Sequence, residues 1–361
     1  MTIVERWKSA CLAAVSWGRP VRDGVVMYVL LSIGLAATLT LGLSWRLGAL
    51  VLILSLLFGL GNLSANIVER YGFPLLERAA TTTMRWLRER DDKLTKSVHG
   101  RLAGLGAELP LIVLLAAAVM GGIWLFLGIL EDVASGDPLV VIDQAVFRLL
   151  QALRTPVADV VLVAITELGD SSVIFAVVSV TSICFLLLQR WRVAVYFVIA
   201  VIGSTIFVHG MKLILNRARP LHLYDGLSEF SFPSGHATSS MVVYGFLVIA
   251  LARQAAPALR WALIRGTLSL ILLIAFSRLY IGAHWLSDVG AGLSFSVAWT
   301  AALAILYFRR DLQPLPSAPL ALVFAATLLL AGAWHINRSH SADMARYGLP
   351  SATPSGETQR P

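Results

Sequence analysis

Three short stretches of this chain carry the residue types needed to hold a phosphate and displace it onto an imidazole. The first runs from Lys212 to Pro220 and ends in Arg219-Pro220. The second is Pro233-Ser234-Gly235-His236. The third runs from Ser277-Arg278 through His284 to Asp288. Arg219 and Arg278 offer planar, bidentate donors to phosphate oxygens, and Lys212 adds a point charge. Ser234 and Gly235 open an apolar segment, where the free N–H groups of a helix start favour an anion. His284 and Asp288 are four residues apart and share a helix face. The carboxylate can hold one ring nitrogen and leave the other free to attack. His236 belongs to a different segment and is placed to protonate the departing oxygen.

Taken singly, each residue has an ordinary reading. A histidine at a helix end is an interfacial polar group. Lys212 and Arg278 are snorkelling anchors, and Asp288 is a first-turn acid. What sets them apart is their order and the elements that must carry them.

Those elements are apolar. The chain has 361 residues, 57% hydrophobic and only 14% charged, where soluble domains carry roughly 25% charged residues. A bilayer makes charge expensive and explains the deficit. Spans of ~20 residues are expected at about 25–43, 47–66, 109–130, 170–188, 193–213, 236–252, 262–281, 284–308 and 317–334. A shorter piece, 156–167, either extends the fourth span or lies on the membrane surface. The expected fold is an all-α, polytopic transmembrane helix bundle. It divides into a two-span segment with a basic linker (1–108), a six-span core (109–311), and a further span with a polar tail (312–361). Segment 67–104 is open between an amphipathic surface helix and a solvated linker. The tail from about 336 is expected to be poorly ordered, with His335 and His340 taking no part in chemistry.

Arginines set the orientation. Arg190 and Arg192, then Arg253, Arg260 and Arg265, then Arg309 and Arg310 fall in alternate loops, while loop 131–155 is acidic. The positive-inside rule puts those arginines and the N-terminus in the cytoplasm. The three motifs then open on the outer face of a bacterial inner membrane. The net charge of +8 is spread over loops, unlike the single basic face of a nucleic-acid binder. Cys11 and Cys184 form no disulfide framework and no metal set, and the first 22 residues do not read as a cleavable signal peptide.

The motifs resemble those of the type 2 phosphatidic acid phosphatase superfamily. Lys212 to Pro220 is similar to its KxxxxxxRP pattern, Pro233 to His236 to its PSGH, and Ser277 to Asp288 to its SRxxxxxHxxxD. The resemblance covers about 109–308. It implies that His284 is the nucleophile forming a phosphohistidine, Asp288 its partner and His236 the general acid. It implies phosphate binding by Lys212, Arg219, Ser234, Gly235 and Arg278, with no metal and no cofactor. Arg217 stands at a variable position and either assists substrate binding or faces headgroups. Glu167 and Asp170 border the site, and His222, Tyr224, Asp225 and Glu229 lie in the outer loop.

The expected activity is hydrolysis of a membrane lipid phosphate or diphosphate. Undecaprenyl diphosphate, phosphatidylglycerol phosphate, phosphatidic acid and lipid A phosphates all fit. Transfer of the same phosphate to a second lipid is the other enzymatic reading. A non-catalytic lipid transporter or binder would be expected to lose the nucleophile or the acid, and both are present. The oligomeric state is left open.

Overall fold

The computed structural model describes residues 44–67, 71–90, 109–136, 138–224, 226–308 and 315–348, with isolated residues between 33 and 42. The expected span at 25–43, the basic stretch 91–108, Arg309, Arg310 and the end of the tail fall largely or wholly outside them. The elements are α1 (Trp45–Ile67), α2 (Phe73–Glu89), α3 (Leu109–Ser135), α4 (Pro138–Ala152), α5 (Pro156–Glu167), α6 (Ser171–Leu187), α7 (Trp191–Leu215), α8 (Gly235–Ala252), α9 (Pro257–Tyr280), α10 (Leu286–Phe308) and α11 (Ser317–Tyr347). Among the described residues the only extended pairing is an isolated bridge between Ala218 and Phe230. The fold is an all-α transmembrane bundle, and eight of its helical stretches are long and apolar enough to cross a membrane.

Each of the last eight expected spans is one of these stretches. Residues Met1–Leu75 and Leu76–Pro361 form two compact units. The first contains α1. The second begins with most of α2, an amphipathic helix in which Leu87 is buried and Arg90 stacks on Trp86 at 4.3 Å.

In the second unit α8 is the central helix, packed against α7, α9 and α10, while α3 packs along α10. α8 is buried along most of its length, including Tyr244, Phe246 and Leu247. A helix apolar all round belongs in such a position. Its neighbours show lipid one face and α8 the other. Thus Phe197 of α7 and Ile274 of α9 are buried, while Ile206 and Leu213 of α7 are exposed.

Local sequence sets the helix ends that matter. Thr155 caps α5 by accepting from Ala158 N at 3.3 Å, with Pro156 as the first helical residue. The short piece 156–167 extends the fourth span: α5 and α6 follow one another through a tight turn at Leu168–Asp170 and together make a 32-residue apolar stretch. α7 ends where Asn216 turns left-handed at φ 47°, its N–H bonded to Lys212 O. That stop leaves Lys212 in the last turn and turns Arg217 and Arg219 away from the helix axis.

The expectation of a poorly ordered tail from about 336 is corrected. Residues 336–347 continue the last span as helix, and Ser317–Tyr347 is one 31-residue element. At ~1.5 Å per residue it is ~46 Å long, against a hydrocarbon core of ~30 Å. Its last three turns are therefore more than a span needs. They pack on α5 and α6, next to the motif-bearing helix ends.

Candidate active site

The motif residues meet in one cavity of about 350 Å³, lined by Lys212, Arg219, Gly235, His236, Arg278 and His284 among others. It lies at the C-terminal ends of α7 and α9 and the N-terminal ends of α8 and α10. Ser234 and Asp288 stand just behind the wall. Ser234 N donates to Asp288 O at 3.0 Å, tying the start of α8 to α10. The turn that delivers His284 requires Gly282, whose φ is +72° and whose missing Cβ would press on Leu221 and Phe147.

His284 is buried at 3% exposure. Its Nε2 lies 3.0 Å from Arg219 Nη1. A guanidinium only donates, so Nε2 is the unprotonated, lone-pair nitrogen. The proton then sits on Nδ1, which is 3.4 Å from Asp288 Oδ2. That is a charge contact rather than a hydrogen bond, and Nδ1 has no hydrogen-bonded partner. Burial, then the charges of Arg219, Arg278 and Lys212, hold the His284 imidazole well below its ordinary value. It is neutral at physiological pH.

The cations around it lack carboxylate partners. Among the described residues none of Lys212, Arg219 and Arg278 forms an ion pair. Arg219 donates to the carbonyls of Ser228 at 2.8 Å and Ala283 at 2.6 Å. Arg278, 1% exposed, donates to Thr166 Oγ1 at 3.0 Å and to Tyr224 OH at 2.8 Å. Burial, then Arg278, pushes the Arg219 guanidinium down to about 10, still charged at neutral pH. Burial would raise the Tyr224 phenol, but Arg278 overrides it and brings it below its ordinary value. Ser234 Oγ and Arg278 Nε are buried without a hydrogen-bond partner. Buried polar groups are otherwise almost always paired.

Asp288 has a second partner besides the imidazole. Its Oδ1 accepts from Arg217 at 2.6 Å and its Oδ2 from Trp285 N at 2.9 Å. Arg217 also donates to Asp143 Oδ2 at 2.7 Å, and Asp143 accepts from Ser287 N at 2.8 Å. Arg217, whose sequence position left substrate assistance or a headgroup contact open, has carboxylate partners in the structure. It ties two buried carboxylates together behind His284, and Asp143, read only as part of an acidic loop, is inside that tie.

The placement of His335 and His340 in a loose polar tail is also corrected: both sit on α11 and have carboxylate partners. His335 Nε2 lies 2.8 Å from Asp170 Oδ2, and His340 Nδ1 lies 3.0 Å from Glu167 Oε1. Tyr347 bonds Tyr224 hydroxyl to hydroxyl, and its ring lies under Arg278. With Asp343 and Arg346 it completes the wall of the cavity. Asp170, His335 and Asp343 each place a ligand atom within 4.8 Å of the others. Within that group Asp170 and His335 are hydrogen-bonded to each other, and Asp343 lies 3.6 Å from Arg346. His222 pairs with Glu229 on the exposed loop, away from the cavity.

Comparison with known proteins places these features. Residues 193–312, which hold all three motifs, match the PAP2 superfamily. The chain is 30% identical over 129 residues to a lipid A 1-phosphatase of Rhizobium johnstonii and 32% identical over 131 residues to that of Rhizobium etli, in each case 33% of this chain. It spans about half the length of both relatives, 49% and 53%. It is 21% identical over 190 residues to an undecaprenyl-diphosphatase of Sulfolobus acidocaldarius, covering 51% of this chain and 86% of that one. The stretch that matches the PAP2 superfamily, residues 193–312, thus carries all three motifs, complete, in order and gathered on one cavity.

Proposed function

We propose that this chain is an integral-membrane lipid phosphatase. It releases phosphate from a lipid phosphate or diphosphate through a phosphohistidine, at the outer face of a bacterial inner membrane. The observation that carries the reading is the group of three cations around an unprotonated His284 Nε2: Lys212 and Arg278 buried, Arg219 partly so, and none of them in an ion pair among the described residues. A phosphate supplies the charge that group lacks, and its oxygens can take the free donors Ser234 Oγ and Arg278 Nε.

The chemistry follows from the atoms. His284 Nε2 attacks phosphorus, and the bond from phosphorus to the lipid oxygen breaks. His236, on the cavity wall, gives that oxygen its proton, and the lipid alcohol leaves. A water then attacks the phosphohistidine, His236 takes a proton from it, and the P–N bond breaks to free phosphate. Lys212, Arg219, Arg278 and the first N–H groups of α8 stabilise the equatorial oxygens in both steps. Asp288 balances the imidazolium that forms on His284. A lipid hydroxyl in place of water would make the same site a phosphotransferase.

The reading is tested by phosphate release from phosphatidic acid, undecaprenyl diphosphate and lipid A, with and without a lipid acceptor. Turnover is expected to persist in EDTA, since protein cations meet the phosphate charge. Vanadate is expected to inhibit, because its trigonal-bipyramidal form resembles the transition state. Loss of turnover in chelator with recovery on added metal would contradict this.

Sidedness has its own test. His222 is exposed in the loop between α7 and α8, at the end of the bundle that carries the cavity, and Ala256 is exposed in the arginine-bearing turn between α8 and α9, at the opposite end. In a Cys11→Ser, Cys184→Ser background, His222→Cys reacts with a membrane-impermeant thiol reagent in spheroplasts, and Ala256→Cys reacts only after lysis. The reverse pattern would invert the topology and move the substrate pool to the cytoplasm.

A further inference from the structure

His236 is not held by the PAP2 domain alone. Its Nε2 lies 2.6 Å from Asp170 Oδ1, and the other oxygen of the same carboxylate lies 2.8 Å from His335 Nε2. One carboxylate thus bridges two imidazoles from separate helices. Asp170 precedes α6 at the break, and His335 sits on α11. Both lie outside residues 193–312. An ionised carboxylate only accepts, so each histidine donates through its Nε2–H. For His236 this assignment leaves Nδ1 as the nitrogen that can serve a leaving oxygen.

The Asp170 side chain is 26% exposed and borders the cavity. With its second oxygen free, the carboxylate could turn toward water or the nearby Arg278 charge. His335, 11% exposed, occupies that oxygen. Gly169 lets the arrangement close up, since a Cβ there would press on Ile274, His236 and Ser240. Five residues further along α11, His340 grips Glu167 on the other side of the same break. The helix is therefore docked independently of the Asp170 bridge.

We propose that His335 is a positioning residue for the reaction. Through Asp170 it holds His236 in the tautomer and orientation that protonate the leaving group, and so the last membrane span is part of the active site. The inference rests on the phosphatase reading. It has a consequence that a merely structural role lacks. An acid matters most when the departing oxygen is strongly basic, as a lipid alkoxide is, and little when a nitrophenolate departs without a proton.

The test compares kcat on short-chain phosphatidic acid and on p-nitrophenyl phosphate, using the full-length protein in detergent. His335→Leu is expected to lose about tenfold on phosphatidic acid and much less on the aryl phosphate, with KM little changed. His335→Gln, which can still donate to Asp170, is expected to recover most of the loss. His340→Ala, which loosens α11 without touching the bridge, is expected to change both substrates in equal proportion. If His335→Leu fails to accumulate, His335→Asn keeps a polar side chain too short to reach Asp170 and carries the same expectation. Equal loss on both substrates in these His335 variants, or no rescue by Gln, overturns the inference. A parent inert on both substrates overturns the phosphatase reading and this inference with it.

Discussion

His284→Ala abolishes phosphate release, by a factor on the order of 10^4 or more, as expected for loss of a nucleophile that acts as one unit with its acid. The protein still folds, because Arg219 keeps its bonds to the Ser228 and Ala283 carbonyls and the backbone of the turn is held by Arg278 O. His236 does not take over, since it is bound to Asp170. In the parent, rapid alkaline quenching of turnover on radiolabelled lipid phosphate traps a phosphoenzyme that survives base and is lost in acid, the behaviour of a P–N bond. His284→Ala yields none. The pH profile carries a sign. Burial and the three cations disfavour the charged imidazole, so the neutral nucleophile persists as pH falls below the ordinary value of about 6.5. The acid limb of kcat/KM that belongs to His284 therefore lies below that value. Substantial turnover by His284→Ala would remove the covalent mechanism.

The bundle and the gathering of the motif residues were legible because both rest on local signals. Apolar runs of spanning length marked eight helices, and loop arginines at alternate ends implied that Lys212, Ser234, Arg278 and His284 share a face. Motif spacing did the rest, as with Arg219, which the left-handed stop at Asn216 turns back toward His284. The supporting contacts were harder to read because they join residues far apart in sequence. Asp170 and His335 are 165 residues apart, Glu167 and His340 173, and Tyr224 and Tyr347 123. A weak signal was present in the tail. His335, His340, Asp343 and Tyr347 fall on one side of a helix, a pattern that a solvated, proline-containing tail does not need. Polar composition outweighed it. Asp143 was read as a loop acid because its partner, Arg217, occupies a position that the motif leaves variable.

Arg217→Met is expected to have the second large effect, and it decides what that variable position does. Asp143 and Asp288 are 1% and 0% exposed, and both accept from Arg217, at 2.7 and 2.6 Å. Methionine fills similar space but leaves two buried carboxylates without their shared cation. Breaking a buried charge pair in this way costs about 3–5 kcal/mol, read as a lower thermal midpoint in detergent. Asp143 keeps its bond from Ser287 N and Asp288 its bond from Trp285 N, so the fold loosens rather than collapses. Catalysis falls as well, because Asp288 is the only carboxylate in contact with the His284 ring among the described residues. Arg217→Lys retains charge but cannot serve both carboxylates with a planar fork, and it falls between parent and Met. Adding Asp143→Asn to Arg217→Met removes one stranded charge and restores part of the stability. In a double-mutant cycle the two changes are then non-additive, as contacting residues are. A contact with the lipid headgroup predicts the opposite pattern: a raised KM, an unchanged midpoint, and no coupling to Asp143. That pattern would return Arg217 to the substrate side of the cavity and leave Asp288 to Trp285 N and the imidazole alone.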